Sequence, residues 1–204
     1  MLLAGLTGNY GMGKSTVLPI FKDLGALTID ADSIVHLLLK EKDIIEKVRS
    51  LLGDKVVNAN GSLNKDRIAG VIFSDETARH SLEDILHPLV FERIQSRLNS
   101  LRGKQDVVII EIPLLYERGY EHRFDRTITV YTDEEIALRR LEAEGINRQK
   151  ALSRLRSQLP VEEKVRRSDF AINNSGTIDE TREQVKTIYM KLVKEAGDGD
   201  NQRY

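Results

Sequence analysis

Apolar residues along this chain fall into two patterns, short unbroken runs and longer stretches spaced three or four apart. The runs are Leu2–Thr7, closed by Gly8, then Leu27–Asp30, Asp106–Ile112, Arg126–Tyr131 and Phe170–Ile172. Runs of this length and apolarity predict buried strands. Helical spacing predicts helices over Val17–Leu24, ended by Gly25, over Ser33–Leu39, and from Asp133 to about Ala143. A last amphipathic helix carries Ile178, Val185, Ile188, Tyr189, Leu192 and Val193. From Lys40 to about Lys104 the pattern is helical throughout, with Asn58–Gly61 as its only turn signal. The clearest stripe there is Leu82, Ile85, Leu86, Leu89, Val90, Ile94, Leu98 and Leu101. Gly197–Tyr204 has nothing to bury and is expected to fray.

Strands separated by helices predict an α/β fold: a five-stranded parallel sheet with helices on both faces. The helical block between the second and third strands departs from a plain doubly wound arrangement. At 204 residues the chain reads as one domain with an insertion. The expected division is a core of residues 1–39, 105–140 and 169–196, an insertion at 40–104, a strap at 141–168 and a tail at 197–204.

Composition removes several chemistries. There is no Cys, so disulfides, thiolate nucleophiles and Cys-containing zinc sites are excluded. The four His are far apart and give no pair at metal-ligand spacing. A net charge of −1 argues against a protein that coats nucleic acid. No stretch approaches the ~18 apolar residues of a membrane span, and MLLAGLTG lacks the basic start of a signal peptide. The expectation is a cytoplasmic protein without membrane or nucleic-acid partners, monomeric or weakly self-associating.

Gly8-Asn9-Tyr10-Gly11-Met12-Gly13-Lys14-Ser15 fits G-x-x-x-x-G-K-[ST] at every fixed position. The glycines let successive backbone N–H groups turn toward an anion. Lys14 then reaches the β- and γ-phosphates, and the Ser15 hydroxyl is a Mg²⁺ ligand. The helix that follows adds its positive end, including the amide of Thr16. The loop alone does not choose among GTPases, motors and small kinases. A GTPase needs N-K-x-D, whereas Asn64-Lys65-Asp66-Arg67 is the nearest string; no D-x-x-G follows Asp106–Ile112 either. Ile146–Ser168 carries seven Lys and Arg against two Glu, as suits a strap closing over phosphates, and it lacks the interleaved aromatics of an RNA-binding patch. Small size and this basic strap favour a small-molecule kinase. Asp30 and Asp32 stand just past the second strand, where active sites of parallel sheets lie. Either could take the proton of an acceptor hydroxyl. Helix capping, or for Asp30 a place in the Mg²⁺ water shell, is the other reading.

LTGNYGMGKST, LGALTIDAD, NGSLNKDRIAGVIF, LEDILHPLV, IPLLYERG and SRLRSQLPVEEK…SDFAINNSG occur in that order. From about Leu3 to Gly176 the chain resembles the dephospho-coenzyme A kinases. The resemblance implies a P-loop kinase fold with a helical substrate-binding insertion and a lid. It further implies ATP-dependent phosphorylation of the ribose 3′-hydroxyl of dephospho-CoA, with Mg²⁺. On that basis Thr7, Lys14 and Ser15 fall at the phosphates, Asp32 is the base, and Arg140 neutralises charge, with Arg139 as its alternative. Arg154, Gln158 and Lys164 belong to the lid, and Asn174–Gly176 lies near the adenine. Arg79 and His87 are candidates for acceptor contact. The family loop usually reads GGIGSGK, so Asn9, Tyr10 and Met12 are departures at places where only backbone is needed. Ala137 and Glu144 also stand where the family has Gln and Arg.

Overall fold

The computed structural model describes residues 1–100 and 106–200. Five strands form one parallel sheet: β1 (Leu2–Thr7), β2 (Leu27–Asp30), β3 (Val107–Glu111), β4 (Arg126–Tyr131) and β5 (Phe170–Asn173), in the order β2-β3-β1-β4-β5. Every pairing is parallel, with Gly5 opposite Ile110 on one side and Thr127 on the other. The α/β class and the five strands read from the apolar runs match within a residue or two.

By internal contacts the chain divides into two compact units, Met1–Asp30 with Arg102–Tyr204, and Ala31–Leu101. In the sheet unit, α1 (Lys14–Asp23) and α9 (Ile178–Asp200) cover one face. Leu6, Val17, Phe21, Ile109, Ile128, Ile172, Val185 and Leu192 form its core. Helix α6 (Glu134–Ala143) follows β4, and α7 (Arg148–Arg156) and α8 (Val161–Arg167) make up the strap. Because β1 returns through α1 toward β2 while β4 leads toward β5, the order reverses between β1 and β4. A crevice opens at the carboxyl ends of strands at such a reversal.

The helical unit comprises α2 (Ala31–Leu38), α3 (Lys42–Leu52), α4 (Lys65–Ser74) and α5 (Glu76–Ser100). Its core holds Ile44, Val48, Leu52, Val56, Ile68, Leu82 and Leu86. Helix α2 belongs to this unit, not to a core of residues 1–39, because it packs on α5. The block is also less continuous than its periodicity implies. Gly53, at φ +84°, ends α3, and Asp75 ends α4 and begins α5. Ile85 and Leu89 of the predicted stripe are only partly buried, and Leu101 lies outside the described residues.

Two corrections concern α9. It continues through residues 197–200 instead of fraying at Gly197, since extending a helix already packed on α1 costs little. Residues 201–204 lie outside the described residues. Ile178 and Val193, placed on its buried face by spacing, are 49% and 37% exposed.

Candidate active site

Left-handed backbone forms the loop between β1 and α1. Gly11 and Gly13 take φ +77° and +93°, conformations that cost other residues about 1–2 kcal/mol. Space is as restrictive as torsion. A Cβ on Gly8 would overlap the Val130 carbonyl, and one on Gly13 the Asn174 amide. Gly13 caps α1, so Lys14, Ser15 and Thr16 open its first turn. The Lys14 ammonium curls back to donate to the Gly8 carbonyl at 2.9 Å and lies 3.5 Å from that of Asn9. A ring of backbone with an ammonium folded inside it is the geometry that grips a polyphosphate.

Three structures brace this loop. Asn174, buried beyond β5, donates from Nδ2 to the Met12 carbonyl (3.1 Å) while its Oδ1 accepts from Thr181 (3.0 Å). Arg140 on α6 donates to the Asn174 carbonyl at 2.8 Å. Thus Arg140, Asn174 and the loop come together. Arg139 points elsewhere: it is largely exposed and faces Glu135 at 3.8 Å. The Met12 side chain, 3% exposed, packs with Ala137, Leu138, Leu141, Ala151 and Leu155. Far from being a position where only backbone matters, Met12 seats the loop on α6 and α7.

The strap is the third brace. The Asn9 amide donates to the Leu159 carbonyl (2.9 Å), and the Tyr10 N–H donates to Gln158 Oε1 (2.9 Å). The Arg154 guanidinium carbon sits 4.1 Å from the centroid of the Tyr10 ring. Beneath them Lys164, with a side chain 0% exposed, pairs with Glu117 at 2.7 Å. The other partner of that Glu117 oxygen is the Leu159 N–H, at 3.1 Å. Burial pulls the Lys164 ammonium below its ordinary pKa, an effect Glu117 opposes. Lys164 is therefore a structural pin within the strap and presents no charge at its surface. Sequence reasoning missed that partnership, since nothing in either segment signals a mate 47 positions distant.

A cleft of about 730 Å³ lies beside the loop and strap, lined by Asn9, Met12, Thr132, Leu155, Gln158 and Val161 among others. Thr7 is fully buried, and its hydroxyl donates to the Pro113 carbonyl (3.1 Å). Gly176 lies where a Cβ would overlap the Glu180 carboxylate, which accepts from the Thr177 N–H. Asp30 ends β2 in register with Glu111 of β3, and Asp32 stands in the first turn of α2. In the helical unit Arg79 pairs with Glu76 at 2.8 Å, and His87 is partly buried on α5, just before Pro88. Among the described residues there is no cluster of three or more His, Cys, Asp or Glu able to hold a metal ion, and no helix is long and apolar enough to cross a membrane.

Comparison with known proteins settles what this loop belongs to. A family model for dephospho-CoA kinase matches residues 2–180. The chain belongs to the dephospho-CoA kinase family. A dephospho-CoA kinase from Aquifex aeolicus is 34% identical over 192 residues, 94% of this chain and 97% of that one. One from Syntrophotalea carbinolica is 36% identical over 196 residues, 95% and 93% of the respective chains. The solved dephospho-CoA kinase from Campylobacter jejuni superimposes with a TM-score of 0.70 at 27% identity, covering 95% of this chain and 98% of its own. Among these dephospho-CoA kinases the match spans both the sheet unit and the helical unit.

Proposed function

We propose that this protein transfers the γ-phosphoryl group of ATP to the ribose 3′-hydroxyl of dephospho-CoA, giving coenzyme A and ADP. The observation that carries this reading is the glycine loop folded around Lys14 in a chain whose family match runs over residues 2–180. Phosphoryl transfer has a loose transition state, so the protein's task is to align the partners and offset negative charge. Lys14 exchanges its loop carbonyls for β- and γ-phosphate oxygens. Backbone N–H groups of the loop and of the first turn of α1 hold the remaining oxygens, except the N–H groups already bonded within the protein, such as Tyr10 on Gln158 and Met12 on the Asn9 carbonyl. The Ser15 hydroxyl, a hard oxygen donor opening α1, would hold the Mg²⁺ of the nucleotide, which would offset phosphate charge there.

Arg140, anchored on the Asn174 carbonyl, adds charge beside the loop. Asn174 and Gly176 frame the nucleoside end. Asp32 accepts the proton of the acceptor hydroxyl; its support is its place two residues beyond β2, at the carboxyl edge of a parallel sheet. Arg79 and His87, on the helical unit, are assigned to acceptor binding, whereas Thr7, expected at the phosphates, is fully buried with its hydroxyl on the Pro113 carbonyl and steadies the end of β1 instead. The accompanying reading is a cytoplasmic enzyme of small molecules, monomeric or weakly associating, with no nucleic-acid or membrane partner.

The test is ADP release measured with dephospho-CoA and with a panel of nucleoside monophosphates. Turnover is expected with dephospho-CoA; turnover with AMP and none with dephospho-CoA overturns the assignment. Asp32→Asn should lower kcat by about 10²-fold or more while ATP affinity is kept. An unchanged kcat removes Asp32 from the chemistry.

A further inference from the structure

A phosphate loop binds its anion through backbone N–H groups, so positions 9 and 10 need no particular side chain. Here both side chains are nevertheless committed to the strap. Asn9, 4% exposed, is bonded to the Leu159 carbonyl, and the Tyr10 ring lies against Arg154 of α7 at 4.1 Å. The Tyr10 N–H is bonded to Gln158 on the same segment, which fixes the ring's backbone relative to the helix that carries the arginine. Arg154 is otherwise exposed, and a long exposed arginine samples many rotamers unless a surface holds it. An aromatic face does so, at a gain of about 2- to 5-fold in occupancy where water has access and roughly 30-fold where it is excluded.

We propose that Tyr10 is a positioning residue that acts through Arg154. Its ring keeps the guanidinium at the rim of the phosphate loop, directed at the charge that develops on the transferring phosphoryl group. This deepens the reading of the loop as an ATP site and rests on it. Tyr10 itself makes no contact with the reacting atoms. The arginine supplies charge only in the transition state, so loss of the ring lowers kcat and leaves acceptor affinity alone.

The experiment is a double-mutant cycle on steady-state phosphorylation of dephospho-CoA with Tyr10→Leu, Arg154→Ala and the pair together, plus Tyr10→Phe and Arg154→Lys. Tyr10→Phe keeps an aromatic face and should hold kcat within about twofold. Tyr10→Leu should lower kcat roughly 3- to 30-fold, with KM for dephospho-CoA unchanged, and should have no further effect once Arg154 is alanine. Arg154→Lys should retain part of the dependence on the ring. Losses that multiply in the double variant, or equal losses in Tyr10→Phe and Tyr10→Leu, overturn the proposal. A wild-type protein that spends ATP on water and not on dephospho-CoA defeats the acceptor assignment alone. The same cycle, run on that hydrolysis, then decides the role of Tyr10.

Discussion

Gly13 is the residue at which torsion, packing and chemistry coincide. Its φ of +93° starts α1, and Asn174 occupies the space a side chain would need. Gly13→Ala should therefore push Asn174 off the Met12 carbonyl and open the loop, raising the Kd for ATP by about tenfold or more; calorimetric titration measures it. The string G-x-x-x-x-G-K-S made this glycine and Lys14 legible at once, because the chemistry needs those residue types at that spacing. What supports them was not legible. Asn174 lies 162 positions from Met12, and Met12 itself looked free to vary until its packing under the loop was seen.

His87 also acts on the residue scale. Burial lowers its pKa from 6.5, more than Asp84 raises it. The unfolded chain therefore takes up the proton first on acidification, and folding stability falls as the pH drops below 6.5 through the folded-state pKa. Urea midpoints recorded at pH 7 and about pH 5 should differ less for His87→Gln than for the wild type. An equal difference in both assigns the acid sensitivity to other groups.

Among the elements, α8 carries a buried ion pair. Lys164 has no exposed side-chain surface and Glu117 only 15%, and breaking a buried pair from one side strands the other charge. Glu117→Gln or Lys164→Met should each cost about 3 kcal/mol, a fall of roughly 6–12 °C in Tm by differential scanning calorimetry. Glu117→Leu combined with Lys164→Met should recover part of that loss. The strands were legible as elements because an apolar run buried on both faces has few other uses. The helix breaks were less so. Asp75 accepts the Ala78 N–H and so starts α5 directly where α4 stops, a junction that hardly disturbs the apolar period. The extension of α9 through Gly197 likewise depends on packing earlier in the helix, not on local propensity.

On the scale of the whole molecule, each compact unit has its own apolar core. A cavity in one should loosen that unit first. Ile44, 1% exposed in α3, suits the test: Ile44→Ala should cost about 2–5 kcal/mol locally. Hydrogen exchange should then quicken across residues 42–52 and 82–98 while β1, β3 and β4 keep their protection. Uniform quickening would mean that the two cores unfold as one. The apolar pattern foretold that the insertion is helical, but it did not reveal that α2 joins it, since pairing with α5 is a tertiary choice.

The strand that leads into the phosphate loop is the middle one of five, hydrogen-bonded to a neighbour along each edge. Rim strands such as β2 and β5 have one neighbour each and come loose at lower cost. The nucleotide is thus tethered to the last part of the sheet to yield. Asn174, which steadies that loop, however follows rim strand β5, so on slow warming the grip on ATP should slacken as β5 detaches, ahead of the central strands.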